Sequence, residues 1–390
     1  MKIGLLKDIK EGELRTDMTP AGVSELLSMG AEIYVQAGAG EGAGFSDDEY
    51  AVAGAVIVQD REKIWADCDF ITKVKEIEEE EFDLVRKDQI IFTCIHPAAH
   101  PKEVDALLKS GATVFAAEDS HRYGSPNCEA AGKAGAFMGL WAMMSFNGGC
   151  GKYASGLGGA PGVRALVCGA GTVGKAAIEV LVNMGAHVTV AGINMGKLRE
   201  VSSKYDGKVH TIYSNRYNLE RILPETDLVL NCVRWPKDAT EYMITKEMVE
   251  SMPKGSVICD ISNDYGCIET FHETTHADPI YEECGVIHYC VCNIPSAIAG
   301  STSVAYAASL LPHFKNILEN GVAEACAKDG FLRRSMVAYN GYLTHEETSG
   351  IQNRPWVPAE VILGIENRTL DPAPKPTVTV SDNYYPEFNL

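Results

Sequence analysis

Basic charge is scarce: 34 Lys and Arg stand against 53 Asp and Glu, a formal net charge of −19. A surface that acidic repels phosphate backbones and anionic lipid, so neither nucleic acid nor membrane is expected as a partner. An anionic substrate then has to be caught by a local cationic pocket. No C-x-x-C pair occurs among the 12 Cys, which leaves a structural zinc framework unsupported. Cys168, Cys232 and Cys259 lie in apolar, strand-like runs (VCGAG, LNCVR, VICDIS). Small buried thiols of that kind fit a reducing compartment, and a cytoplasmic chain is expected. Asn367-Arg-Thr is then irrelevant as a glycosylation sequon. Long clean apolar runs are missing too: 135–144 and 294–311 are too short or carry Pro, Ser and Thr. MKIGLLKDIKEG has no apolar h-region, so no signal peptide is expected.

What is present is material for large cores: 390 residues, 46% of them apolar, enough for two or three domains. The first part alternates strand and helix. Strands are predicted at 2–6, 32–36, 55–58, 70–74, 90–93 and 113–116, with a helix over 19–29 that opens on Thr-Pro. An apolar helix is expected near 138–145. The Gly-rich run GGCGKYASGLGGAPG then reads as a linker into a new domain. A second series begins at Val163, with strands at 165–168, 187–191, 228–233, 257–261 and 289–292, and a helix over 301–319 leads back. The tail after Ile351 is polar and Pro-rich and reads as a surface arm. The expectation is an α/β fold of two Rossmann-like domains with parallel sheets and a cleft between them. Their bounds are 1–130 with 305–390, and 131–304.

Gly169-Ala-Gly171-Thr172-Val173-Gly174 follows an apolar strand and opens an amphipathic helix, with a second strand at the right interval. In that context Gly169 allows the turn, Gly171 lets a pyrophosphate approach, and Gly174 lets helix and sheet pack; the helix N-terminus faces the phosphates. The second strand ends in Gly192, where a carboxylate for the ribose 2′-hydroxyl is expected, and Lys197 and Arg199 follow. Either NAD or NADP is compatible with that end.

The stretches LRTDMTPAGVSELLSMGAEIYVQAGAGEGAGFSD, WADCDFITKVKE, IIFTCIHPAA, VCGAGTVGKAAIEVLVNMGAHVTV, VICDISNDYG, YCVCNIPS and LTHE come in order over roughly 2–346. The chain in this respect resembles the alanine dehydrogenase/pyridine nucleotide transhydrogenase N-terminal (AlaDH/PNT) family. The resemblance implies an oxidoreductase that interconverts a small L-amino acid, alanine first, with its 2-oxo acid plus ammonia. It implies Arg15 as the carboxylate clamp, Lys75 on the carbonyl oxygen, His96 as general acid/base and Asp264 assisting amine or water attack. Each role suits its side chain alone: a guanidinium fork matches a carboxylate, and imidazole titrates near neutrality. Lys73 is two residues from Lys75, and only the family motif chooses between them. Asn293 joins Gly192 and Lys197 as an implied cofactor contact, and a hexameric homo-oligomer is implied as the assembly.

Departures bear on the substrate. Asn127 and Cys128 stand where the family has Met-Ser, and CVRWPKD puts Arg234 and Trp235 where a small apolar loop is usual. A second enzymatic reading is therefore NADPH-dependent condensation of pyruvate with a basic amino acid. A third is a non-catalytic nucleotide-binding subunit of a transhydrogenase. His272-Glu-Thr-Thr-His276 matches H-E-x-x-H, but its flanks lack a helical period and no metal is expected there.

Overall fold

The computed structural model describes residues 1–374 except 237 and 238; the side chain of Asp264 also lies outside the described part. Two compact units result. Among the described residues, one is Met1–Pro126 with 299–374, the other Asn127–Ile298.

In chain order the first unit contributes β1 (Lys2–Leu5), β2 (Glu32–Gln36), β3 (Val56–Val58), β4 (Phe70–Thr72), β5 (Ile90–Thr93) and β6 (Thr113–Ala116). The second contributes β7 (Arg164–Cys168), β8 (His187–Gly192), β9 (Val209–Tyr213), β10 (Leu228–Asn231), β11 (Val257–Asp260), β12 (Ile280–Glu283) and β13 (Val286–Tyr289). The chain then returns to the first sheet with β14 (Met336–Tyr339) and β15 (Tyr342–Leu343).

The first sheet runs β15-β14-β6-β5-β4-β1-β2-β3. Every pair from β6 to β3 is parallel, while β14 and β15 pair antiparallel. β4, β5 and β6 are buried along their whole length, as strands covered by helices on both faces must be. One cover is the helix Ala299–Lys328, interrupted at Gly321. Tyr306, Leu310, Phe314 and Ile317 form its buried stripe, and Phe314 meets Phe92 edge-on at 5.2 Å. By length and composition this segment passes as a membrane span, among the described residues, and that stripe is what its apolar character serves. Helix Pro20–Ser28 starts as its sequence demands: Pro20 opens it and the Thr19 hydroxyl accepts the Gly22 N–H at 3.3 Å.

The second sheet runs β12-β13-β11-β10-β7-β8-β9. β7 lies between β8 on one side and β10 on the other, so the order reverses there. That switch point is where open parallel sheets bind ligands, and the Gly169 turn leaves β7 at it.

Several expectations need correction. The strand expected over 70–74 ends at Thr72, because the chain turns away for Lys73 to reach Glu81. The strand expected over 289–292 is Val286–Tyr289, inside a run too uniformly apolar to mark its own ends. The helix near 138–145 spans Pro126–Ala142. The Gly-rich run is no linker: it lies within the second unit, pinned by Cys150 N–H to the Gly255 carbonyl at 2.8 Å and by Lys152 to Asp227 at 2.6 Å. Part of the expected surface arm is core, since Ala359 and Ile365 are buried and Val357 donates to the Leu343 carbonyl. Residues 375–390 of that arm lie outside the described residues. The sheets are largely, not wholly, parallel.

Candidate active-site residues and nucleotide turn

In the first unit, β1, β4, β5 and β6 are adjacent and parallel, so the loops leaving their carboxyl ends share one edge. The β1 loop carries Glu13 and Arg15, the β4 loop Lys75 and Glu76, the β5 loop His96, and the turn after β6 carries Glu118. One carboxylate oxygen gathers the cluster. Glu76 Oε1 lies 3.1 Å from Lys75 Nζ and 3.0 Å from His96 Nδ1, while Oε2 takes Lys10 Nζ at 3.0 Å.

His96 is held at both ends. Its backbone N–H donates to Glu118 Oε1 at 2.6 Å, and its φ of 48° turns the chain so that the ring reaches Glu76. With Nδ1 spent on Glu76, Nε2 makes no hydrogen bond among the described residues, and the side chain is 45% exposed. A carboxylate on one imidazole nitrogen fixes the tautomer and leaves the other for proton transfer. Lys75 is placed by its backbone: its N–H donates to Asp8 Oδ2 at 2.8 Å and its carbonyl accepts the Thr93 hydroxyl at 2.6 Å. Arg15 is buried, and Glu13 grips it through Nε at 2.8 Å and Nη2 at 2.5 Å, which sets the guanidinium plane.

The two neighbouring lysines separate cleanly. Lys73 is fully buried, bonded to Glu81 at 2.7 Å with Asp8 at 3.7 Å, a structural pair. Lys73→Met is expected to lower stability by about 3 kcal/mol, since it strands buried carboxylates, with activity per folded molecule kept. Lys75→Met is expected to do the reverse, a loss of about two orders of magnitude in kcat/KM with little change in melting. Thermal melts and kinetics on both variants check the assignment.

Charge in the cluster is mutually supported. Burial pushes the Glu76 carboxyl up, but the hydrogen bond from His96 and the charges of Lys75 and Lys10 hold it well below the carboxylate range. Burial disfavours charged Lys75 and Arg15 opposes it, yet Glu76 keeps the ammonium above its ordinary value. For His96 burial works against protonation; Glu118 and Glu76 outweigh burial and the repulsion of Lys75, and raise it above the ordinary 6.5. Burial drives the Cys94 thiol far up, so it is no nucleophile. A raised imidazole keeps its proton to higher pH. Protonated His96 therefore stabilises the fold fully below 6.5, and that stabilisation is lost as pH rises through the raised value. Glu118→Gln removes the largest of the raising charges, so any rate limb that follows His96 deprotonation is expected to move to lower pH. NMR titration of the His96 ring and the pH–rate profile read the shift.

In the second unit the Gly169 turn has φ +96°, and the helix Thr172–Asn183 begins at N-cap Gly171 with no side-chain cap on its first-turn N–H groups. A Cβ on Gly174 would stand 2.0 Å from the Gly169 carbonyl oxygen, whereas one on Gly171 would meet nothing within 4 Å. That is a closed turn beneath an open cradle, and it fits a dinucleotide pyrophosphate. Gly192 ends β8, Asn194 caps the helix Met195–Lys204 through Lys197 N–H at 2.9 Å, and Lys197 is exposed. Asn293 is buried, and its carbonyl accepts His276 Nε2 at 2.9 Å. Asp264 sits in the short turn Asn263–Tyr265 beyond β11; its side chain is outside the described residues. The bulky loop is engaged locally: Arg234 Nε donates to Tyr265 OH at 3.0 Å, and Trp235 Nε1 to the Glu241 carbonyl at 2.9 Å. His272 and His276 are on no helix, and His272 stacks on Tyr281 at 3.4 Å.

Glu13, Glu76 and Glu118 are the partners of the candidate residues that sequence reasoning did not name. Glu76 adjoins Lys75 in the sequence, a signal that was readable. Nothing in the spacing links His96 to Glu118, 22 positions on.

Residues 4–125 match the N-terminal domain and residues 136–346 the C-terminal domain of the alanine dehydrogenase/PNT family. The chain is 36% identical to the alanine dehydrogenase of Mycolicibacterium smegmatis, covering 93% of this chain and 100% of that one. It is 35% identical to that of Bacillus subtilis, covering 94% and 99%. A solved L-alanine dehydrogenase superposes with a TM-score of 0.84 at 31% identity, over 90% of this chain and 99% of that one. A transhydrogenase from Sinorhizobium meliloti shares the fold, with a TM-score of 0.71 at 22% identity. The chain belongs to the alanine dehydrogenase/PNT family.

Proposed function

We propose that this chain interconverts L-alanine with pyruvate and ammonia, using a nicotinamide dinucleotide. The observation that carries the reading is the single oxygen Glu76 Oε1 shared by Lys75 and His96, at the strand edge that also bears Arg15. A carboxylate clamp, a carbonyl-polarising cation and an oriented imidazole are the groups an oxo acid needs.

Arg15, its plane set by Glu13, takes the substrate carboxylate. Lys75 polarises the carbonyl oxygen as ammonia adds. His96, anchored through Nδ1, gives a proton from Nε2 as water leaves to form the imine, and takes one back in the oxidative direction. Asp264 assists the attack. The bound nicotinamide supplies or accepts the hydride. Gly169, Gly171, Thr172, Val173 and Gly174 hold the pyrophosphate, and Gly192, Lys197 and Asn293 complete the dinucleotide contacts. None of the 12 Cys forms a disulfide, in keeping with a cytoplasmic enzyme, and the family resemblance supports a homo-oligomer.

Absorbance at the nicotinamide band tests the reading, with pyruvate, ammonium and NADH or NADPH. Turnover that depends on ammonium is expected. Gly192 sets no carboxylate against a 2′-phosphate and Lys197 is exposed nearby, so NADPH as well as NADH is expected to serve. Lys197→Glu is expected to cost NADPH more than NADH. Absence of oxo-acid-dependent oxidation of either cofactor sinks the proposal.

A further inference from the structure

We propose that Asp17 is a positioning residue that holds a proton up to neutral pH, and that this proton ties the Arg15 loop to the strands leading to Lys75 and His96. This rests on the reading above and deepens it, since it makes capture of the oxo acid depend on pH at a group other than His96. Asp17 follows Arg15 by two positions and is 1% exposed. A hydrogen bond joins its Oδ2 to Thr72 Oγ1, and Thr72 Oγ1 donates to the Phe92 carbonyl at 3.0 Å. Thr72 ends β4, whose loop carries Lys75; Phe92 is in β5, whose loop carries His96. The link therefore crosses the three elements that bear the substrate groups, all within the first unit.

The hydrogens decide the protonation state. A threonine hydroxyl has one hydrogen, and a backbone carbonyl can only accept. With the Thr72 hydrogen on the Phe92 carbonyl, the bond between Asp17 and Thr72 needs a hydrogen from Asp17, so the side chain is a carboxylic acid. Oδ1 gives the same answer. It is buried and takes no hydrogen bond, which a neutral carbonyl oxygen tolerates far better than an ionised carboxylate does. No counter-charge is left for an ionised form. Lys73 is within electrostatic reach, but its ammonium is taken by Glu81 at 2.7 Å, with Asp8 at 3.7 Å. Asp8 repels a second negative charge, and the other groups facing Asp17, the phenols of Tyr50 and Tyr306, are kept neutral by burial. Burial, with Asp8 behind it, outweighs the Thr72 bond, the backbone N–H of Asp17 and Lys73, and lifts the carboxyl to about 7. The rest of the loop is held otherwise: Thr16 N–H donates to Ser303 Oγ at 2.9 Å, and Tyr50 OH to the Met18 carbonyl at 2.6 Å. Those two anchors do not titrate near neutrality; Asp17 does.

Ionisation breaks the link at Thr72, loosens the Arg15 loop and weakens the carboxylate clamp. The KM for pyruvate is therefore expected to rise about tenfold as pH climbs through neutrality. Asp17→Asn offers an amide N–H to Thr72 at every pH, so that part of the rise is expected to vanish, while whatever follows His96 remains. Thr72→Val removes both hydrogen bonds of the hydroxyl. It is expected to raise the KM about tenfold already at acid pH, more than it lowers kcat, and Thr72→Ser is expected to restore it. A merely structural Asp17 would shift melting in these variants without moving the pH profile. The same rise of KM with pH in the parent and in Asp17→Asn overturns the proposal. Infrared difference spectra of the parent against Asp17→Asn need no substrate. A protonated-carboxyl band in the parent below neutrality, lost above it, supports the held proton even if pyruvate proves not to be a substrate. Its absence below neutrality refutes the held proton and leaves alanine oxidation untouched.

Discussion

His96→Asn is expected to lower kcat about a thousandfold while the KM for pyruvate changes little, because it deletes proton transfer and spares the carboxylate clamp. Asn is the informative replacement. Residue 96 has φ 48°, a left-handed backbone that Asn tolerates and that most side chains resist. The backbone N–H bond to Glu118 and the turn it supports therefore persist. Stopped-flow and steady-state rates in both directions read the effect. A variant within tenfold of the parent would remove His96 from the chemistry and leave Lys75 and the cofactor to carry it.

The second large effect concerns the dinucleotide turn, and two glycines only three positions apart are expected to fail in different ways. At Gly171 a side chain meets no protein atom within 4 Å, so Gly171→Val is expected to fold and melt as the parent does. Its side chain fills the cradle instead, and dinucleotide affinity is expected to fall about a hundredfold, roughly 2.7 kcal/mol. At Gly174 the first side-chain carbon stands 2.0 Å from a backbone oxygen of the same turn. Gly174→Val forces the helix off β7 and is expected to destabilise the second unit by roughly 3 kcal/mol as well as abolish binding. Fluorescence titration with NADH and a thermal melt on each variant separate an occupied cradle from a broken turn. Equal melting losses in the two would contradict the geometry.

What was legible in the sequence follows from the range of the signals. The strands Ile90–Thr93 and Thr113–Ala116 stand between clear turn residues, and their bounds match the expectation. The Gly169 turn was readable because its three glycines act within six residues. Arg15, Lys75 and His96 were readable only through the family motifs, since each alone is an ordinary polar residue. Their partners were not. Glu118 is brought to His96 by the pairing of β5 with β6, and Glu13 is one of 53 acidic residues with no mark to distinguish it. The choice between Lys73 and Lys75 was hidden for the same reason: alternation places both on one face, but the strand stops at Thr72 and alternation stops with it. β14 and β15 escaped notice because they are short and because β14, which carries β15, pairs with β6 across more than two hundred residues of chain.

The proposed reaction is the reductive amination of pyruvate by direct hydride transfer from a nicotinamide dinucleotide. Pyruvate, ammonium and nicotinamide deuterated at the transferable C4 position, incubated with the intact protein, test it most directly by mass spectrometry of the product. L-alanine bearing one deuterium at C2 is the predicted result. Lactate, or alanine without the label, would contradict it.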